Sequence, residues 1–128
     1  MRTEYDALGE RQLDDQRYHG IQTQRAKENF AISGTTIADI PGYVASIAIL
    51  KKAAALANHQ IGVLDAAQAN AIAQAADEVV ANVCADEFPL DIYQGGGGTS
   101  ANMNVNEVLA NRANEQVSAL RSQVDQFL

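Results

Sequence analysis

The chain predicts a mainly α-helical fold with short extended elements near its N-terminus. Three observations carry this. Apolar residues recur every three or four positions in three separate stretches. Helix start and stop signals bracket those stretches. Residues 1–35 lack such periodicity and are punctuated by Gly9, Gly20 and Gly34. A single domain over residues 1–128 is expected, with an irregular arm over 1–40 and helices over 41–128.

In the arm, short extended or turn elements are expected. Pro41 and Gly42 then open a first helix, over residues 42–61, whose stripe is Ile47, Leu50, Ala54, Ala57 and Ile61. Lys51 and Lys52 fall off that stripe, on a solvated face. Gly62 is a stop signal. The second helix, over 65–84, starts with Asp65 and Gln68 in capping-box spacing and carries Ala69, Ile72, Ala76, Val79 and Val83. Pro89 closes this region, and residues 84–98 form a loop. The third helix, over 100–126, starts near Thr99 or Ser100 and continues through Leu109, Ala113, Val117, Leu120, Val124 and Phe127. Alanines let helices approach closely but bury little apolar area. With aromatic residues at 5%, such stripes call for partners beyond one compact domain, as in a bundle shared between subunits.

At 128 residues the chain can bury a modest core. A net charge of −7 argues against nucleic acid and anionic membrane surfaces as partners. It does not exclude a small anionic substrate, because groups at a site outweigh net charge. No apolar run approaches the roughly 18 residues of a membrane span, and the N-terminus lacks the apolar segment of a secretory signal. Cys84 is the only cysteine and has no internal disulfide partner; it is expected to pack as a small apolar residue. A cytoplasmic setting fits these features. His19 and His59 sit in no metal or triad spacing and read as surface or structural histidines. Asp14, Asp15, Asp86 and Glu87 read as solvated loop charges. No metal or other cofactor is expected.

The most informative stretch is 94–108, Gln-Gly-Gly-Gly-Gly-Thr-Ser-Ala-Asn-Met-Asn-Val-Asn-Glu-Val. Four glycines leave a backbone open to close approach. A Thr-Ser pair suits a helix N-cap, and a helix start offers unpaired N–H groups to an anion. A flexible linker before a capped helix is the alternative reading. Three phosphate or nucleophile motifs fail here. No lysine precedes Thr99, as a P-loop requires. No convincing strand precedes the glycines, as a dinucleotide fingerprint requires. No glycine follows Ser100, as a nucleophile elbow requires. A small carboxylate survives better than a nucleotide.

Several segments together resemble the N-terminal part of the aspartase/fumarase superfamily of lyases. They are residues 2–9 (Arg-Thr-Glu-Tyr-Asp-Ala-Leu-Gly), 18–26 (Tyr-His-Gly-Ile-Gln-Thr-Gln-Arg-Ala), Glu28-Asn29-Phe30, Lys51-Lys52-Ala53-Ala54-Ala55 and the run Gly98–Val108. The resemblance covers residues 1 to about 115 and implies an all-helical, homotetrameric enzyme that eliminates ammonia, water or an amine to give fumarate. A dicarboxylate substrate is then the expected small-molecule partner.

Such an elimination removes a proton next to a carboxylate, and charge develops on that carboxylate. Donors must stand where it develops. By resemblance Thr99 matches a substrate-contacting threonine. Ser100 and Asn102 lie in the same stretch, with helix capping as the alternative for Ser100. Arg25 matches an arginine of the family's Thr-x-Arg-Ala segment and suits a substrate carboxylate or, equally, a structural ion pair. Asn104, Asn106, Asn111 and Asn114 are poor helix formers and point to buried polar networks or a wet interface. The family's base is a serine in a Gly-Ser-Ser-x-Met-Pro-x-Lys-x-Asn-Pro segment, which these residues do not contain. Nor do they contain the family's Thr-His pair or its second Ser/Thr-Asn loop. After Glu115 the chain departs from the family pattern, so a truncated or divergent N-terminal segment, inactive alone, is expected.

Gly97 and Ser100 resemble the ammonia-lyase branch, whereas hydratases typically carry serine and glutamine there. Gln22-Thr23-Gln24-Arg25 leans toward the hydratases. The motif near the ligand bears on the chemistry and favours an ammonia-lyase acting on aspartate. The alternatives are a class II fumarase-type segment or a non-catalytic helical interaction module.

Overall fold

Residues 2–13 form a two-stranded antiparallel hairpin of β1 (Arg2–Asp6) and β2 (Gly9–Leu13), with Arg2 opposite Leu13 and Tyr5 opposite Glu10. Four helices follow: α1 (Ile21–Asn29), α2 (Tyr43–Gln60), α3 (Ala66–Val80) and α4 (Thr99–Phe127). This computed structural model describes residues 1–127, with side chains described through residue 119 and at Ser122. The mainly helical class and the extended elements near the N-terminus agree with the sequence reading.

The long helix α4 is the spine. Helices α1 and α3 pack on it, and α2 packs on α3. Alanines make that contact close. Ala48, Ala69, Ala75, Ala76 and Ala101 have no exposed surface, and Ile37, Leu90, Val105 and Val108 fill the space between them. Cys84 is buried in the same core, and burial pushes its thiol pKa up. Among the described residues, no helix is long and apolar enough to cross a membrane.

Four local expectations need correction. First, the arm contains a helix, α1. Its sequence carries no apolar stripe, and acidic side chains distant in the chain cap its start. Second, α2 buries a different face. Ala48 and Ala55 are inside with Val44 and Ile47 at the margin, while Leu50 and Ile61 are 67% and 74% exposed. Apolar residues occur nearly all round α2, so periodicity alone does not select its inner face. Third, Lys51 and Lys52 are half-buried rather than solvated. Lys51 lines a groove with Ala55, Ile72 and Leu109, and Lys52 pairs with Asp77 at 2.7 Å. Fourth, α3 stops at Val80 rather than 84, because Asn82 takes left-handed backbone (φ 64°) and leaves Val83 exposed.

Other boundaries hold. The Asp65 carboxylate accepts from Gln68 N–H at 2.7 Å and starts α3. Gly62, with φ 83°, ends α2. In α4, Leu109 and Ala113 are buried and Val117 partly so; Leu120, Val124 and Phe127 lie outside the described side chains.

Candidate functional site

The glycine run bends the chain into α4. Gly96, Gly97 and Gly98 all have positive φ (70°, 62° and 87°), a run of left-handed backbone that only glycine adopts without strain. Nothing stands within 4 Å of where a Cβ on Gly97 would be, and Tyr43 Oη stands 3.8 Å from that point on Gly98. The backbone of the turn is therefore open on one side.

Thr99 is the first residue of α4 and is exposed. Its hydroxyl donates to Gly96 C=O at 2.5 Å. Ser100 and Asn102 are half-buried within the same first turn. Among the described residues neither side chain has a hydrogen-bond partner, so both retain donors. No acidic residue occupies that turn, so the positive end of the helix is not neutralised from within.

Gln94 and Asp91 hold the turn from behind. Gln94 Oε1 accepts from Ala101 N–H at 2.7 Å, and its Nε2 donates to Asp91 C=O at 3.1 Å. The Asp91 carboxylate is buried. It accepts from the N–H groups of Ile32, Ser33, Gly34 and Tyr93, at 2.6–3.3 Å, and from the Ser33 hydroxyl at 2.9 Å. The Tyr93 N–H, opposed by burial and joined by Ser33 and Ile32, holds this carboxyl well below the usual carboxylate range. A bridge pairs Asp91 with Thr36, so residues 32–36 and the start of the glycine run form one unit.

Glu87, read from the sequence as a solvated loop charge, is instead buried at 6% exposure. Its carboxylate accepts from Tyr18 and His19 N–H at 3.0 and 2.9 Å, and its carbonyl accepts from Asn104 Nδ2 at 2.8 Å. His19 Nδ1 lies 2.9 Å from Glu87 Oε2 but is not aligned as a donor. Burial works to raise the Glu87 carboxyl; the His19 contacts and Arg17 outweigh it and hold the group below its ordinary value. His19 is thus a buried structural histidine.

Arg25 is engaged with the hairpin. Its guanidinium forms a two-point pair with Asp6, at 2.7 and 2.8 Å, and donates to Gly9 C=O at 3.1 Å. Both side chains are nearly enclosed, at 13% and 12% exposure, so the arginine ties α1 to the hairpin. Of the asparagines, Asn104 and Asn111 serve buried networks, Asn111 through Tyr18 C=O at 2.6 Å, while Asn114 is exposed. Sequence reasoning passed over Gln94, Asp91 and Glu107. A neutral amide directly before a glycine run is the one signal that pointed to Gln94.

A family model described as lyase matches residues 9–128. The chain is 52% identical over 112 residues to the aspartate ammonia-lyase of Escherichia coli (strain K12), covering 87% of this chain and 23% of that protein. It is 54% identical over 114 residues to the class II fumarate hydratase of Halobacterium salinarum, covering 89% and 24%. The crystal structure of fumarate lyase:delta crystallin from Brucella melitensis superposes with a TM-score of 0.89 at 45% identity, covering 92% of this chain and 27% of that one. Fold and sequence together define a helical segment of lyase type. The chain belongs to the aspartase/fumarase superfamily, and it spans about a quarter of the length of these relatives.

Proposed function

We propose that this chain is the N-terminal part of an aspartate ammonia-lyase and contributes its carboxylate-binding turn. Thr99, Ser100 and Asn102 receive a carboxylate of aspartate or fumarate. The observation that carries this reading is the turn itself: open glycine backbone leading straight into a helix start that bears hydroxyl and amide donors and no acidic residue. As the proton leaves the carbon next to that carboxylate, the growing charge meets the free donors of Ser100 and Asn102, and the Thr99 hydroxyl turns to it from Gly96 C=O. The base is supplied by a part of the parent enzyme outside these 128 residues, so the chain alone leaves aspartate unreacted. The parent works as a cytoplasmic homotetramer.

Gly97 and Ser100 support the ammonia-lyase branch. The stretch Gln22–Arg25, and a hydratase relative as similar as the ammonia-lyase one, favour a second reading, a class II fumarase segment. Grafting this chain in place of the matching segment of the Escherichia coli aspartate ammonia-lyase tests the choice. Fumarate formation from aspartate, followed by ultraviolet absorbance, is expected. An assembled graft that acts on malate and not on aspartate favours the hydratase reading.

A further inference from the structure

We infer that Gln94 is the positioning residue of this turn, holding Thr99 and Ser100 in register while leaving the start of α4 electrically free for an anion; this rests on the carboxylate-binding reading above. Three glycines in left-handed backbone have many alternative conformations to lose on ordering. Among the described residues, a single side-chain hydrogen bond spans them end to end, from Ala101 N–H to Gln94 Oε1. The other end of the same amide donates to Asp91 C=O, and the Asp91 carboxylate is fastened to residues 32–34. Gln94 therefore splints the glycine run to the loop that the Asp91 carboxylate fastens.

The charge of the splint matters as much as its reach. The start of α1 is met by the carboxylates of Glu4 and Glu107, and the start of α3 by Asp65. Those caps neutralise the partial positive charge of a helix N-terminus. At α4 the acceptor is a neutral amide, which satisfies Ala101 N–H without adding negative charge beside Thr99 and the free donors of Ser100 and Asn102. A carboxylate at position 94 would still accept from Ala101 N–H, but it would lose the donation to Asp91 C=O and compete with the ligand.

The test is a titration of the 15N-labelled chain with succinate, followed at the amide signals of residues 96–102, for the wild type, Gln94→Glu and Gln94→Met. Gln94→Glu keeps the acceptor for Ala101 N–H, adds a charge and gives up the donation to Asp91 C=O. It is expected to leave that amide protected from exchange and to weaken succinate by about five- to tenfold. Gln94→Met removes both hydrogen bonds, so Ala101 exchange should accelerate and succinate should weaken to a similar degree. A Gln94→Glu protein that is folded and binds succinate as the wild type does overturns the inference, since a residue that merely caps would behave that way. If Gln94→Met fails to fold, the Glu variant decides alone. Absence of saturable shifts in the wild type overturns the carboxylate-binding reading itself, and with it the role assigned to Gln94.

Discussion

The Glu107 carboxylate occupies the space where a Cβ on Gly20 would stand. Its Oε2 would collide with that atom, and Glu4 Oε1 lies 2.8 Å from the same point. From there the two acids cap α1. Glu4 accepts from Ile21 N–H at 3.0 Å, and Glu107 accepts from Gln22 N–H, Thr23 N–H and the Thr23 hydroxyl at 3.0, 2.9 and 2.6 Å. The glycine is required here for close approach, since its own φ of −113° is open to any residue.

Gly20→Ala should therefore push both carboxylates off the helix start. Overpacking of this kind costs about 1–3 kcal/mol. The urea midpoint should fall with little change in slope. An unchanged midpoint would show that the cap re-forms around the methyl group.

Glu107→Gln removes the charge and offers one acceptor to three donors. Hydrogen bonds to a charged group are worth about 1.5–3 kcal/mol each, and the remaining oxygen retains part of that. Amide exchange at Gln22 and Thr23 should accelerate while α3 stays protected. Uniform acceleration across the chain would instead mean that α1 unfolds only with the whole domain.

Arg25 is explained by its pair with Asp6. Arg25→Gln should lower the melting temperature by loosening α1 from the hairpin and leave succinate binding at residues 96–102 unchanged. A loss of succinate affinity at unchanged melting temperature would make Arg25 a ligand contact.

Asp91 links stability to acid. Its carboxyl is held below the ordinary range in the folded chain, so its contribution is fully present above the unfolded value of about 3.9 and is lost as pH falls toward the folded value. Glu87 is shifted in the same direction. Unfolding midpoints should drop below about pH 4. Asp91→Asn should be less stable at neutral pH and show a shallower acid decline; an equally steep decline would assign it to other groups.

What the sequence made legible is what local chemistry dictates. Asp65 and Gln68 mark the start of α3, Gly62 the end of α2, and the glycine run with Thr99 the start of α4. Helix α1 was not legible because Glu107, 84 residues beyond Thr23, caps it. The buried state of Glu87 was hidden for the same reason: its partners, Tyr18 and His19, are nearly 70 residues away. The inner face of α2 was ambiguous because Ile49, Leu50 and Leu56 face outward as apolar as those facing in. At the candidate site, the motif drew attention to Thr99, Ser100 and Asn102, but the support from Asp91 depends on the loop at 32–36 folding back.

The most direct measurement is the turnover of aspartate by the grafted enzyme carrying Thr99→Val, which keeps the shape of the side chain and removes its donor. Loss of one donor to a developing oxyanion costs about 2.7–4 kcal/mol, so kcat should fall by about two to three orders of magnitude in a graft that folds and assembles as the unmodified one does. A Thr99→Val graft that assembles and turns over aspartate near the unmodified rate would show that the hydroxyl serves only Gly96 C=O and that the turn does not hold the reacting carboxylate.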